Sequence, residues 1–424
     1  MIGARRLRVL LYSLNYAPEL TGVGKYSGEL AEWLAAKGHE VRVICGPPYY
    51  PQWRVASGYR WWCYATESLA GVRVWRCPVW VPRRPRGVTR LVHLFSFVVA
   101  STPVLIRQAL WKPDVVLAME PPFMGAPMVL LTARLSKAKV WLHVQDLEVD
   151  AAFALGLLPA GWVSRLAFGL ERRIKRAFTA VSTISLAMAT RLKEKLGTAY
   201  IPSVFPNWID SKTIRPLERP SVLRRELGLA GDTMIALYAG NMGAKQGLEL
   251  VVKAAKELAS ESKLVFVFCG EGVAAESLRQ ETAGMGNVLW LPLQPFERLN
   301  ELLNLADIHL LPQRADAADL VMPSKLTGMM ASGRPVVAAA HLDTEIGRSV
   351  AQGGRITPPG ELAPFTGAIR ELAADRALRE QLGKVARVYA VEHWEKDQVL
   401  GRFEDTIIDL VWGAGQREEG QGAS

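Results

Sequence analysis

The sequence runs to 424 residues, too many for a single core, so two domains of roughly 200 residues each are expected. Half of the residues are hydrophobic and 22% are charged, a balance that excludes a disordered or fibrous chain. The net charge of +10 is uneven, with 27 Lys/Arg against 13 Asp/Glu over residues 1–210 and 24 against 28 in the remainder, so the first half is expected to meet something anionic.

The chain opens on an apolar strand, "LRVLLYSLNY", with no A-x-A cleavage site of a secretory signal before it. "GKYSGELAEWLAAKG" has helical spacing and ends at Gly38, and "HEVRVICG" is the next strand. Between Tyr49 and Arg90, the tryptophans Trp53, Trp61, Trp62, Trp75 and Trp80 are interleaved with Arg73, Arg76, Arg83, Arg84, Arg86 and Arg90. The apolar run "LVHLFSFVVASTPVLI" (91–106) follows, and its 16 residues fall short of the roughly 20 that span a bilayer. Arginines beside tryptophans and then an apolar segment fit a surface resting on an anionic membrane. A buried helix behind a basic loop is the alternative. Nucleic acid also attracts arginines and aromatics, but no helix-turn-helix, RNP or zinc-finger signature accompanies them, so no nucleic-acid partner is expected.

"PDVVLAM", "AKVWLHVQ" and "FTAVSTIS" continue as strands, with helical stretches around 124–136 and 161–177. That alternation predicts an α/β fold built on a doubly wound parallel sheet. "IPSVFPNWIDSKTIRPLERP" (201–220) carries four prolines and no clear period, which marks a linker. Strand and helix then alternate again through "TMIALYAGNMG", "GLELVVKAAKELAS", "SKLVFVFCGEG", "NVLWLPLQ", "ADIHLLPQ" and "RPVVAAA". The four cysteines, Cys45, Cys63, Cys77 and Cys269, stand singly without a C-x-x-C pair, which argues against a disulfide framework or zinc site and for a reduced cytoplasmic compartment.

In the second half, "PSKLTGMMASG" places Lys325 at a helix start, the end where a cation is disfavoured unless an anion binds there. Asn241 and Lys245 lie in the loop "AGNMGAKQG", and Gly270 and Glu271 in "CGEG". These strand ends form the ligand-binding edge of an open sheet, so two lysines and a helix N-terminus converging on a diphosphate is the expectation, with glycines allowing close approach. In the first half, "LTGVGKYSGELAEWL" sets Gly22, Gly24 and Gly28 before a helix. This nearly matches a dinucleotide fingerprint, so an NAD-dependent epimerase or oxidoreductase is the rival reading. The spacing is one residue too long, and Glu40 begins the second strand rather than ending it. "WLHVQDLEVD" puts His143 and Asp146 at a strand end, where Asp146 orients the imidazole or each addresses a sugar hydroxyl separately. There is no D-x-D motif, "DLE" at 146–148 being the nearest approach, and no H-E-x-x-H or G-x-S-x-G, so neither a metal nor another cofactor is expected.

Taken in order, "YAPELTGVGKYSGELAEWLAAKGHEV", "HVQD", "FPNWID", "YAGNMGAKQGLE", "CGEG", "ADIHLLPQ" and "PSKLTGMMASGRPVVA" resemble the family-4 glycosyltransferases, within them the exopolysaccharide enzymes of the colanic-acid type. The resemblance covers residues 7 to 412. It implies a GT-B fold, two Rossmann-like doubly wound domains facing across a cleft, with the last helix crossing back to the first domain. The implied boundaries are an acceptor-binding, membrane-facing domain 1–205, a linker 206–220, a nucleotide-sugar domain 221–395, a crossover helix 396–413 and a frayed tail 414–424. It further implies metal-free transfer with retention of anomeric configuration, from a UDP- or GDP-sugar donor to a polyprenyl-diphosphate-linked or other glycan acceptor.

On that template Lys245 and Lys325 hold the diphosphate, assisted by Ser324 and its helix start, while Asn241, Gly270 and Glu271 line the donor loops. Gly22 and Gly24 let the first loop approach the phosphates, and His143 contacts the transferred sugar. Arg83, Arg84, Arg86, Trp75 and Trp80 meet the lipid surface at the inner, cytoplasmic face of the membrane, as a peripheral association. Two glutamates that many family members place eight positions apart read Leu320 and Gly328 here. Thr327 or Glu345 is expected to take over the ribose hydroxyls. The missing glutamates also leave open a non-catalytic, membrane-associated partner that kept the fold and lost the chemistry.

Overall fold

Short apolar, β-branched runs become strands because their side chains can be covered on both faces, and the amphipathic stretches between them become the helices that cover them. The structure, a computed structural model, describes residues 6–83, 87–154, 162–197, 200–243, 246–314 and 324–413. The chain divides into two units, Met1–Phe205 with Leu400–Ser424, and Pro206–Val399.

The first unit begins with β1 (Arg8–Tyr12), α1 (Gly22–Ala36) and β2 (Glu40–Cys45), followed by β3 (Ala65–Leu69) and β4 (Val72–Arg76). Next come α2 (Val88–Gln108), β5 (Val115–Glu120), α3 (Ala126–Ser136) and β6 (Lys139–Val144). It continues through α4 (Glu148–Ala154), α5 (Trp162–Arg176), β7 (Ala180–Thr183), α6 (Leu186–Leu196) and β8 (Ser203–Val204). Its sheet runs β3-β4-β2-β1-β5-β6-β7-β8, with every neighbouring pair parallel except β3–β4.

That antiparallel edge hairpin was not anticipated. Its two-residue turn is Ala70–Gly71, with φ of +46° and +80°. Positive φ at both positions gives a primed turn that matches strand twist, and alanine in the first position hides the signal. The apolar run at 91–106 proves to be part of a longer helix. With its closing 3-10 turn it spans Val88–Trp111, 24 residues, long and apolar enough to cross a membrane by length and composition.

The second unit contains α7 (Val222–Glu226), β9 (Met234–Ala239), α8 (Leu248–Glu257), β10 (Leu264–Cys269) and α9 (Ala275–Glu281). Then follow β11 (Val288–Leu291), α10 (Leu299–Leu305), β12 (Ile308–Pro312), α11 (Ser324–Ala331) and β13 (Val336–Ala339). It ends with α12 (Glu345–Gly353), β14 (Gly354–Thr357), α13 (Leu362–Ala374) and α14 (Arg376–Trp394). The sheet is all parallel, in the order β11-β10-β9-β12-β13-β14. The last helix, α15 (Lys396–Trp412), starts in the second unit and ends in the first. Within the first unit it buries Phe403 and Ile407. Phe403 stacks on Trp141 at 4.9 Å and lies 4.2 Å from Phe205. Glu404 accepts from Trp33 Nε1 at 3.2 Å and pairs with His39 at the same distance.

Candidate functional site

Open parallel sheets bind ligands beyond the strand C-termini, where strand order reverses. In the second unit this point falls between β9 and β12. Tyr238, near the end of β9, is buried and donates to the Asn241 carbonyl at 2.6 Å. Lys325, the second residue of α11, donates through Nζ to Tyr238 Oη at 3.1 Å and lies 4.3 Å from the ring centre. Gly240, at φ +135°, leaves room for it, since a Cβ there would stand 3.3 Å from Lys325 Cδ. The β9 loop and the α11 start, linked above only by expectation, therefore meet. Burial, with no counter-charge from the described residues, lowers the Lys325 pKa from the usual lysine range to about 7. A half-buried ammonium that, among the described residues, has a phenol beside it and lies at a helix start is suited to an oxyanion.

Gly270 and Gly272 answer a different need from the one predicted. A Cβ on Gly270 would lie 2.0 Å from the Gly240 carbonyl oxygen, and one on Gly272 2.4 Å from that of Met242. The two loops are laced by Met242 N to Glu271 O at 2.8 Å and Ala274 N to Met242 O at 3.0 Å. Close approach here is of loop to loop, which leaves the side chains of Asn241 and Glu271 exposed. Ser324 is exposed at the α11 start.

Thr327 is turned inward, buried and donating to the Ser324 carbonyl at 2.8 Å, so its hydroxyl is already used within the helix. Glu345 opens α12, partly exposed, 3.5 Å from Arg348. Gly328 is buried with Leu303 Cδ1 3.2 Å from where a Cβ would stand, so any side chain there requires Leu303 to shift. Lys245 and Leu320 lie outside the described residues.

In the first unit the order reverses between β1 and β5. Gly22 opens α1 at φ +60°. Glu19 organises the loop before it, accepting from Tyr49 N at 2.9 Å, Tyr50 N at 3.0 Å and Asn15 Nδ2 at 2.9 Å. Burial raises its pKa against those bonds. A Cβ on Gly24 would sit 2.4 Å from Glu19 Oε2, and one on Gly28 2.9 Å from Ala17 Cβ. The glycine spacing that resembled a dinucleotide fingerprint is thus explained by packing of this loop on α1, and Gly24 faces Glu19.

His143 requires a correction. It lies within β6 beside Ser182 of β7 and is 1% exposed. Nδ1 shares a hydrogen bond with Ser182 Oγ at 2.8 Å, and its ring meets Phe403 edge-on at 5.1 Å. Burial lowers its pKa to about 3. Trp141 and His143 point to the same sheet face, and α15 covers that face, so the imidazole is a core group. Asp146 lies past the strand end with intermediate exposure.

Of the basic, aromatic residues, Trp80 and Arg83 are exposed, and Trp75 is half-buried with the Arg42 guanidinium 5.5 Å from its ring. Arg76 is internal, bonded to Glu67 at 2.6 Å and the Gly46 carbonyl at 3.0 Å. Arg84 and Arg86 lie outside the described residues.

Two features escaped the sequence reading. One is Tyr238. The other is Glu120, the buried last residue of β5, which Lys175 holds at 3.0 Å while also meeting Glu171 at 2.9 Å. Burial pushes Glu120 up to about 7 despite the lysine. A polar residue at or next to the end of an otherwise apolar strand was the one available signal for both.

Comparison with known proteins agrees with this geometry. Residues 21–208 match the glycosyl transferase 4-like domain and residues 233–375 the glycosyl transferases group 1 domain. The chain is 41% identical over 411 residues, 95% of its length and all of the relative's, to the Escherichia coli K12 protein named for colanic acid biosynthesis, glycosyl transferase WcaI. Among solved structures it resembles sucrose-phosphate synthase from Thermosynechococcus elongatus, with a TM-score of 0.73 at 18% identity, covering 96% of this chain and 99% of that one. It also resembles Anabaena HepE in complex with UDP and glucose, with a TM-score of 0.69 at 14% identity, covering 95% and 100%. These structural likenesses establish the GT-B fold. With its β9 loop and α11 lysine brought to one sheet edge, and with that identity over nearly its whole length, the chain belongs to the family-4 glycosyltransferases, alongside the colanic-acid-type enzymes of polysaccharide biosynthesis.

Proposed function

We propose that the protein transfers a hexosyl group from a UDP- or GDP-sugar to a glycan acceptor carried on polyprenyl diphosphate, in the assembly of a cell-surface polysaccharide. The observation that carries this reading is Lys325, held against Tyr238 at the β9 edge with no counter-charge from the described residues. A departing nucleoside diphosphate develops negative charge as the glycosidic bond breaks, and a pre-placed ammonium with directed N–H groups stabilises it without reorganisation. The charge is supplied by protein groups, so no metal is invoked, and transfer retains the anomeric configuration. Glu345, partly exposed at the α12 start, takes the ribose hydroxyls. The name of the WcaI relative and the UDP and glucose bound to HepE support the donor class and the pathway. The lipid carrier places the enzyme peripherally at the cytoplasmic face of the membrane.

The test is calorimetric titration with UDP, GDP and NAD, on the protein and on Lys325→Ala. One nucleoside diphosphate should bind. Loss of one charge-assisted bond, about 1.5–3 kcal/mol, should weaken it by roughly tenfold or more in the variant. Binding of NAD alone would overturn the reading.

A further inference from the structure

We propose that α2 lies flat in the surface of an anionic bilayer, its outward stripe in the acyl boundary and the flanking cations at the headgroups. The inference rests on the membrane-bound acceptor proposed above and assigns the surface that makes contact.

The stripe consists of Val88, Val92, Phe95, Val99, Ile106 and Leu110, each between 38% and 84% exposed. Their spacing of three, four and seven residues keeps them on one side of the helix along its whole length. Leu131 and Leu135 of α3, which packs beside α2, are exposed as well. A contiguous apolar face of this kind on a folded domain marks an interaction surface.

The opposite side of α2 decides how it meets the membrane. Leu94, Phe97 and Leu105 are in the core. Buried His93 bonds to the Trp80 carbonyl at 2.7 Å and to Tyr49 Oη at 2.9 Å, while Ser101 bonds to Tyr12 Oη at 3.0 Å and Gln108 to Arg42 at 3.0 Å. Crossing the bilayer would strip these polar groups of their partners in hydrocarbon and remove a wall of the first unit's core. A helix long enough to span is therefore held in the plane of the surface.

Charge selects the occupant. From Ser68 to Pro113 there is no acidic residue, but, the internal Arg76 apart, Arg73, Arg83, Arg84, Arg86, Arg90, Arg107 and Lys112 supply seven cations. Arg134 and Lys137 follow on and after α3, both exposed. A second copy of this face would set cations against cations, whereas an anionic leaflet attracts each of them. Aromatic groups flank the helix at interfacial depth. Tyr64, 55% exposed, donates to the Ala100 carbonyl at 2.8 Å, and the Trp80 backbone N–H donates to Ser96 Oγ at 3.0 Å.

The experiment is co-sedimentation of the full chain with phosphatidylcholine vesicles, with and without phosphatidylglycerol, for the protein and for the triple variant Val92→Ser, Phe95→Ser, Val99→Ser. These side chains are exposed, so the variant should fold, and an unchanged urea-unfolding midpoint confirms it. The protein should bind the phosphatidylglycerol vesicles, lose binding as salt rises, and be released by alkaline carbonate. The variant should partition roughly tenfold less or weaker still. Equal partition of variant and protein, or resistance to carbonate extraction, would overturn the proposal, as would a dimer that the variant dissolves. Nucleotide binding without vesicle binding sinks this inference alone, and vesicle binding without nucleotide binding sinks the donor reading alone.

Discussion

At the scale of single residues, the proposed donor edge turns on Tyr238. One hydroxyl fixes the Asn241 carbonyl and receives Lys325, while the ring lies under the ammonium. Tyr238→Phe keeps the ring and loses both hydrogen bonds, so the donor Kd should rise by roughly tenfold with little change in the unfolding midpoint. The lysine also sets a pH dependence. Its pKa of about 7 in the free protein must rise when phosphate supplies the opposite charge. Above pH 7 the complex holds more protons than the free protein, so binding should take up protons and weaken as pH rises. Calorimetry at pH 8 in buffers of different ionisation enthalpy reads that uptake, and none would sink the idea. His143 stands on the other side of the ledger. As a core group bonded to Ser182 and packed on Phe403, its change to alanine should cost about 2–4 kcal/mol of stability by urea unfolding. Lost turnover with an unchanged midpoint would return the imidazole to the reaction.

Elements show the same dependence on partners. Helix α5 carries Lys175 into the core, where it pairs with Glu120 of β5 and Glu171 of its own helix. Removing the lysine leaves Glu120 buried without a cation, while Glu171 keeps Lys195 at 2.8 Å, so Lys175→Met should destabilise the first unit by about 3–5 kcal/mol. Glu120 adds a pH signature. Its folded pKa of about 7 lies above the ordinary carboxylate range, so the folded chain keeps a proton that the unfolded chain gives up between these values. Its contribution is full at acid pH and lost as pH rises through 7. A urea midpoint in Lys175→Met equal to that of the parent would contradict this account. The loop before α1 shows the milder case, in which Gly24 and Gly28 exist for Glu19 and Ala17 to pack against.

At the scale of the whole molecule, the uneven charge acquires a place. The excess of cations lies in the first 210 residues, and the acid-free stretch Ser68–Pro113 runs through the unit that carries the outward stripe of α2. The mildly acidic remainder holds the proposed donor edge, where positive charge is local, at one lysine and one helix start. Two sheets built on one plan thus sit in halves of opposite charge balance.

Alternation of apolar runs with amphipathic stretches determined by itself that the chain forms two α/β sheets, parallel except at the β3–β4 edge it did not foresee, because strand and helix periods are local properties of the backbone. Lys325 was legible for a similar reason, since a cation at a helix start conflicts with the dipole wherever the helix lies. Only the tertiary structure decided the rest. Every residue from Val140 to Val144 in β6 is buried, so the sequence could not say which face of that strand a helix 260 residues later would cover and remove His143 from reach. Nor could it say that the glycines of two loops face one another, or that Tyr238 lies beneath the lysine, or which side of α2 remains outside. Each of these depends on a neighbour distant in sequence, and burial is decided by what arrives in space.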